Sequence, residues 1–213
     1  MTAAIILCGG QSSRMGFPKA DLPFGPESML QRVVRQLEPA VSSRIVVSAA
    51  GQLLPMLPEN VEVVRDEQPA RGPLEGLTAG MRAISNINTI CYATSCDVPF
   101  LKPSWVHRLL ELMRDEDDIV VPVDGRHHHP LAALYRRRIL PLATSLLSQN
   151  RLRPFFLFEE ANTRRIDVND LRNVDPELES LVNVNNVDEY RKALKRAGHA
   201  FPTHLREQLR DPS

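Results

Sequence analysis

The sequence predicts an α/β fold built on a mostly parallel central sheet. Three observations carry this: short apolar runs that stop at glycines or turn residues, amphipathic segments at helical spacing between them, and a regular alternation of the two from residue 3 to residue 122.

Residues 3–8 form an apolar run ending at Gly9-Gly10, which reads as a buried strand entering a tight loop. After a polar, glycine-containing loop, Ser28 stands where a helix cap belongs. Met29, Leu30, Val33, Val34 and Leu37 follow at helical spacing, and Pro39 ends the segment. The expected order continues with a strand at 44–47, a short helix at 52–57, a strand at 61–64, a helix at 74–84 and a strand at 90–94. A helix at 103–113, opened by proline, and a strand at 119–122 come next. The second half is less regular. It gives a strand at 129–135 after an Asp124-Gly125 turn, a helix at 139–147, strands at 164–168 and 181–184, and a closing helix at 188–196. The 213 residues suit a single domain, and residues 197–213 read as a polar, mobile tail.

Lys plus Arg balance Asp plus Glu at 26 each, so no overall basic field exists to hold DNA, RNA or an anionic membrane; phosphate binding has to be local. The three cysteines, Cys8, Cys91 and Cys96, have no metal-ligand spacing, which fits a reducing, cytoplasmic compartment. No signal-peptide pattern and no run of eighteen apolar residues occurs, so neither export nor membrane insertion is expected.

Four segments carry chemistry. The first runs from Leu7 through Cys8, Gly9, Gly10 and Arg14 to Lys19: a strand end, paired glycines that let backbone amides approach a ligand, and two cations able to meet phosphate oxygens. It lacks both the Walker pattern and the dinucleotide-binding glycine spacing. A plain turn with solvated cations is its structural alternative. In the second, Asp66 can accept from a ribose or base, while Gly72 and Gly76 flank a helix start that offers free amides; a simple strand-to-helix loop is the alternative. The third sets Asp97 just past an apolar strand, where open sheets bind ligands and one carboxylate can serve a hard cation such as Mg²⁺; a turn aspartate before Pro99 is the alternative. The fourth is Asn183 and Asn185, two apart and so on one face if the segment is a strand. Asn186 is read there as a cap for the last helix.

His127, His128 and His129 do not make a metal set, because neighbours on a strand point in opposite directions and no carboxylates or thiols complete a shell. Arg136, Arg137, Arg138, Arg151 and Arg153 either draw an anionic substrate or solvate helix ends. Trp105 is read as core.

Leu7-x-Gly-Gly-x-Ser-x-Arg-Met-Gly16 followed by Lys19 resembles the signature loop of the molybdenum cofactor guanylyltransferases, the MobA family. CTP-using relatives are similar but usually carry Ala-Ala-Gly where this chain has Cys8-Gly9-Gly10. The later segments follow in the family's order between about residues 3 and 194. The resemblance implies a three-layer, Rossmann-like nucleotidyltransferase fold with a nucleotide-binding N-terminal half and a pterin-binding C-terminal half. It implies transfer of GMP from GTP to molybdenum-loaded molybdopterin, with Mg²⁺ on Asp97. Arg14 and Lys19 are the implied catalytic cations. Leu7, Cys8, Gly9, Gly10, Lys19, Ser48, Asp66, Gly72 and Asp97 would bind the nucleotide, and His129, Asn183 and Asn185 the pterin side. Molybdopterin-delivery and molybdoenzyme chaperone proteins are implied partners. Two departures bear on base choice: Ser48 stands where the family often has Asn, and Phe17-Pro18 precedes Lys19 where an acidic residue is usual. A cytidylyl or sugar-phosphate transferase of the same fold, or a non-catalytic cofactor-binding module, are the other readings.

Overall fold

In the computed structural model, which describes residues 1–9, 15–66, 68, 71–205 and 209, one eight-stranded sheet runs through the molecule. Its strands are β1 (Thr2–Leu7), β4 (Ser43–Ala49), β5 (Val61–Asp66), β6 (Ile90–Ser95), β7 (Ile119–Asp124), β8 (His127–His128), β9 (Ala133–Arg136) and β10 (Thr163–Asp167). A small separate hairpin is formed by β2 (Pro23–Phe24) and β3 (Glu27–Ser28). The main path is β10-β7-β9-β6-β1-β4-β5, with β8 pairing β7. Within this sheet the described pairings are parallel except those of β8 and β9.

Among the described residues six α-helices flank the sheet: α1 (Met29–Leu37), α2 (Pro73–Ala83), α3 (Pro103–Leu112), α4 (Leu140–Ser148), α5 (Phe155–Glu160) and α6 (Val187–Arg196). Strand alternation sorts the core. Along β1 and one residue past it, Ala4, Ile6 and Cys8 pack with the apolar stripes of α1 and α3, whereas Ala3, Ile5 and Leu7 pack with α2, α4 and α5. The result is three layers, as expected. Gly80 lets α2 lie close on β1, since a Cβ there would sit 2.5 Å from Ile5 Cγ2. Ser28 caps α1 through a reciprocal pair, accepting from the Gln31 N–H while Gln31 Oε1 accepts from the Ser28 N–H.

Several expectations are corrected. No helix forms at 52–57, where Pro55 and Pro58 remove donors and Gly51 turns with φ 72°. The expected strand at 129–135 is broken. The Asp124-Gly125 turn leads into β8, a short helical turn Pro130–Ala132 follows, and β9 then inserts antiparallel between β6 and β7. Residues 181–184 form no ladder; a helical turn Glu179–Leu181 passes into a segment whose Val184 N–H donates to the Asp97 carbonyl at 2.9 Å. Helix α5 was not anticipated, because its Phe-Phe-Leu-Phe run shows no helical period.

The segment expected as a mobile tail is docked where it is described. Phe201, Leu205 and Leu209 pack with Tyr190, Ala193 and Leu194 of α6 and with Met29, Phe24 and Met15, in a third, smaller core. Leu205 and Leu209 are buried. Trp105 is fully buried, with Nε1–H donating to the Ala132 carbonyl.

Candidate active site

A cavity of about 650 Å³ opens at the carboxyl ends of β1, β4 and β6. Its size suits a nucleotide-sized ligand, and sheets of this kind bind ligands at that edge. Leu7, Cys8 and Gly9 form one wall, and Asp66 and Gly72 another, with Lys19, Asp97, Asn183 and Asn185 across from them. Gly10 and Arg14 lie outside the described residues.

The first wall depends on tight backbone packing. The Cys8 N–H donates to the Val47 carbonyl at 2.8 Å, and the Cys96 N–H to the Leu7 carbonyl at 3.0 Å, so the parallel pairing continues one step past the strands on both sides. Gln52 braces this wall: its Oε1 accepts from the Ala49 N–H at 3.1 Å, and its Nε2 donates to the Cys8 carbonyl at 3.3 Å. Burial pushes the Cys8 thiol well above its ordinary pKa, and the neighbouring Cys96 adds to the effect. Cys8 therefore stays a protonated, poor nucleophile.

On the second wall, Gly72 holds φ 81°, a left-handed conformation that suits glycine, and so turns the chain into α2. Its first turn has no side-chain cap, which leaves the Leu74 and Glu75 N–H groups without a capping partner near Gly72, Pro73 and Gly76 of the cavity wall. Below it, the buried Glu75 carboxylate is paired with Arg71 at 3.0 Å and Arg82 at 3.6 Å.

The polar centre joins residues far apart in sequence. Lys19 Nζ donates to Asp97 Oδ2 at 2.7 Å and to Asn185 Oδ1 at 2.9 Å. Asp97 Oδ1 accepts from Ser95 Oγ at 2.5 Å and from Asn183 Nδ2 at 3.0 Å. Asn183 and Asn185 thus reach one centre although no strand holds them. Their segment is anchored instead by the Asp97 carbonyl bond and by the buried Asp175, whose Oδ1 pairs with the partly exposed Lys102 Nζ at 2.8 Å and whose Oδ2 accepts from the Ser180 N–H at 2.8 Å. Asn186 caps α6 as expected, its Oδ1 accepting from the Glu189 N–H.

Two oxygens, Asp97 Oδ2 and Asn185 Oδ1, converge on one cation, the Lys19 ammonium. A hard divalent ion asks for the same oxygen donors. Among the described residues no group of three or more His, Cys, Asp or Glu could hold a metal. One carboxylate with one amide oxygen is a donor set that would fit a hard divalent ion sharing its shell with phosphate oxygens.

Two expected contacts fall elsewhere. Ser48 lies on β4 between Val47 and Ala49; both of these line the cavity, so strand alternation turns Ser48 the other way, where its hydroxyl accepts from Arg65 at 2.7 Å. His129 is not part of the lining, because the Pro130–Ala132 turn puts Leu131 there. His129 is half-buried against His127, ring centroids 4.9 Å apart, and burial, helped by His127, lowers its pKa. Four arginines of the basic stretch have structural partners: Arg136 donates to the Asp117 carbonyl, Arg137 to the Met81 and Ile84 carbonyls, Arg138 pairs with Asp118, and Arg151 pairs with Glu160. Sequence reasoning missed Ser95 and Gln52. For Ser95 the signal was present, two positions before Asp97 at the same strand end.

A family model described as the MobA-like NTP transferase domain matches residues 4–163. A probable molybdenum cofactor guanylyltransferase of Carboxydothermus hydrogenoformans is 32% identical over 192 residues, which covers 89% of this chain and 93% of that one. A protein of the same description from Mycobacterium bovis is 32% identical over 188 residues, covering 86% and 89%. The crystal structure of molybdopterin-guanine dinucleotide biosynthesis protein A from Archaeoglobus fulgidus aligns with a TM-score of 0.77 at 22% identity, over 93% of this chain and 99% of that chain, and so shares the fold. With the family model spanning most of the sheet and the relatives spanning nearly the whole chain, this protein belongs to the MobA-like NTP transferase family.

Proposed function

We propose that the chain transfers GMP from GTP to the terminal phosphate of molybdenum-loaded molybdopterin, giving the guanine dinucleotide cofactor and pyrophosphate. The observation that carries this reading is the pairing of Lys19 with Asp97 on the wall of a nucleotide-sized cavity, 78 positions apart in sequence. The names of the relatives supply the acceptor and the base.

In the reaction an acceptor phosphate oxygen attacks the α-phosphorus, the bond from that phosphorus to the bridging oxygen breaks, and pyrophosphate leaves. Such transfer requires positioning and charge stabilisation rather than a covalent intermediate. The backbone from Gly9 onward, the open N–H groups at the start of α2 and Asp66 bind the nucleotide. Lys19, and Arg14 on the strength of the sequence motif, neutralise charge on the triphosphate. Asn183 orients Asp97. Asp97 and Asn185 would hold Mg²⁺, which supplies charge neutralisation on the phosphate oxygens when bound. Asn183, Asn185 and Leu131 face the acceptor side. No helix among the described residues is long and apolar enough to cross a membrane. The buried free thiols Cys8, Cys91 and Cys96 suit a reducing cytoplasm, where delivery and chaperone proteins would hand over the pterin and receive the product.

The test is transfer of label. GTP labelled at the α-phosphate, incubated with the protein, Mg²⁺ and molybdopterin, is expected to yield labelled pterin dinucleotide. Label confined to GTP and GMP would overturn the reading.

A further inference from the structure

The two oxygens of Asp97 meet different kinds of group. Oδ1 accepts from two neutral donors, Ser95 Oγ at 2.5 Å and Asn183 Nδ2 at 3.0 Å, whereas Oδ2 faces the Lys19 ammonium at 2.7 Å. Ser95 is itself well fixed. It is the last residue of β6, its backbone is in register with Leu7 of β1, and it is buried at the cavity wall. The carboxylate is therefore clamped by the protein on one oxygen and turned toward positive charge with the other.

A carboxylate held this way can give a cation only one oxygen. Mg²⁺ is small, takes about six ligands in near-octahedral geometry and uses carboxylates singly; Ca²⁺ is larger, takes about six to eight and readily uses both oxygens of one carboxylate. We propose that Ser95 is a positioning residue which, with Asn183, locks Asp97 as a one-oxygen ligand and so selects small octahedral divalent ions over calcium. The inference rests on the metal role given to Asp97 under the proposed function. Without the Ser95 hydroxyl, Oδ1 loses one of its two donors, and the carboxylate can swing to present both oxygens to a larger ion. Threonine keeps the hydroxyl, so it should keep the lock. Partners that orient a metal ligand commonly contribute about ten-fold or more to metal affinity.

The experiment is a binding measurement without acceptor: the Kd of a fluorescent GTP analogue with saturating Mg²⁺, with saturating Ca²⁺ and with EDTA. Wild type, Ser95→Ala and Ser95→Thr are compared, each with its Tm. Wild type is expected to bind more tightly with Mg²⁺ than with Ca²⁺. Ser95→Ala should reduce that preference about ten-fold with little change in the EDTA value, and Ser95→Thr should stay close to wild type. An unchanged preference in Ser95→Ala, or an equal loss in Ser95→Thr, overturns the proposal and leaves the nucleotide reading in place. Equal wild-type binding under all three conditions also overturns it, together with the metal role of Asp97. No binding by wild type under any condition overturns the nucleotide reading and the proposal with it.

Discussion

Lys19 Nζ lies 2.7 Å from Asp97 Oδ2 and 2.9 Å from Asn185 Oδ1, so a short helical turn after the glycine loop, the end of β6 and the segment before α6 meet at one charge. The same ammonium that joins these pieces is the group assigned to the triphosphate.

Lys19→Ala should lower kcat by about two powers of ten, the usual loss when a charge partner of a transition state is removed. Initial rates at saturating GTP and Mg²⁺ check this, and a near-normal rate would remove Lys19 from the chemistry. Arg14→Ala is expected to behave alike.

The Asp175 carboxylate should make stability depend on acid. Burial pushes its pKa up, but hydrogen bonds from Lys102 and from Ser180 outweigh burial and hold it below the ordinary value. A depressed carboxyl contributes stability that is in place above about pH 3.9 and is lost as pH falls through its folded pKa. Lys102→Met leaves that charge buried and unpaired, which costs about 3 kcal/mol at neutral pH. Urea unfolding at pH 7 and near pH 3 is expected to show the difference from wild type shrinking in acid. A constant difference would contradict it.

Gly80→Ala tests the seating of α2 on β1. The added Cβ would stand 2.5 Å from Ile5 Cγ2, and a branched side chain in a packed core gives way poorly. Overpacking of this kind costs about 1–3 kcal/mol. Thermal unfolding should show a lower Tm; an unchanged Tm would mean that the layers separate freely there.

Leu205→Ala separates a docked segment from a mobile one. Leu205 is buried against α6 and the hairpin region, and truncation of a buried leucine costs about 2–5 kcal/mol. A free tail would give no measurable loss.

Much of this architecture is legible in the sequence because it is written locally. The run ending at Gly9, the Ser28 cap and the Pro103 start each depend on neighbours within a few positions, and β1, α1 and α3 fall within about two residues of where the pattern puts them. What the pattern missed depends on partners far along the chain. Asn183 and Asn185 share a face because Val184 bonds to Asp97 and because Lys102 holds Asp175, not because they alternate on a strand. Ser48 was placed by analogy with an asparagine, and strand alternation turns it away toward Arg65. The docked end was legible in principle: Phe201, Leu205 and Leu209 recur every four residues, an apolar stripe diluted by the charges between them.

Guanylyl transfer is tested most directly by nucleotide choice. Initial rates of pyrophosphate release should be measured with Mg²⁺ and molybdenum-loaded molybdopterin, offering GTP, CTP, ATP and UTP in turn. Release with GTP well above the other three, and dependent on the pterin, is the predicted result. Preference for CTP, or no release with any of the four, would contradict it.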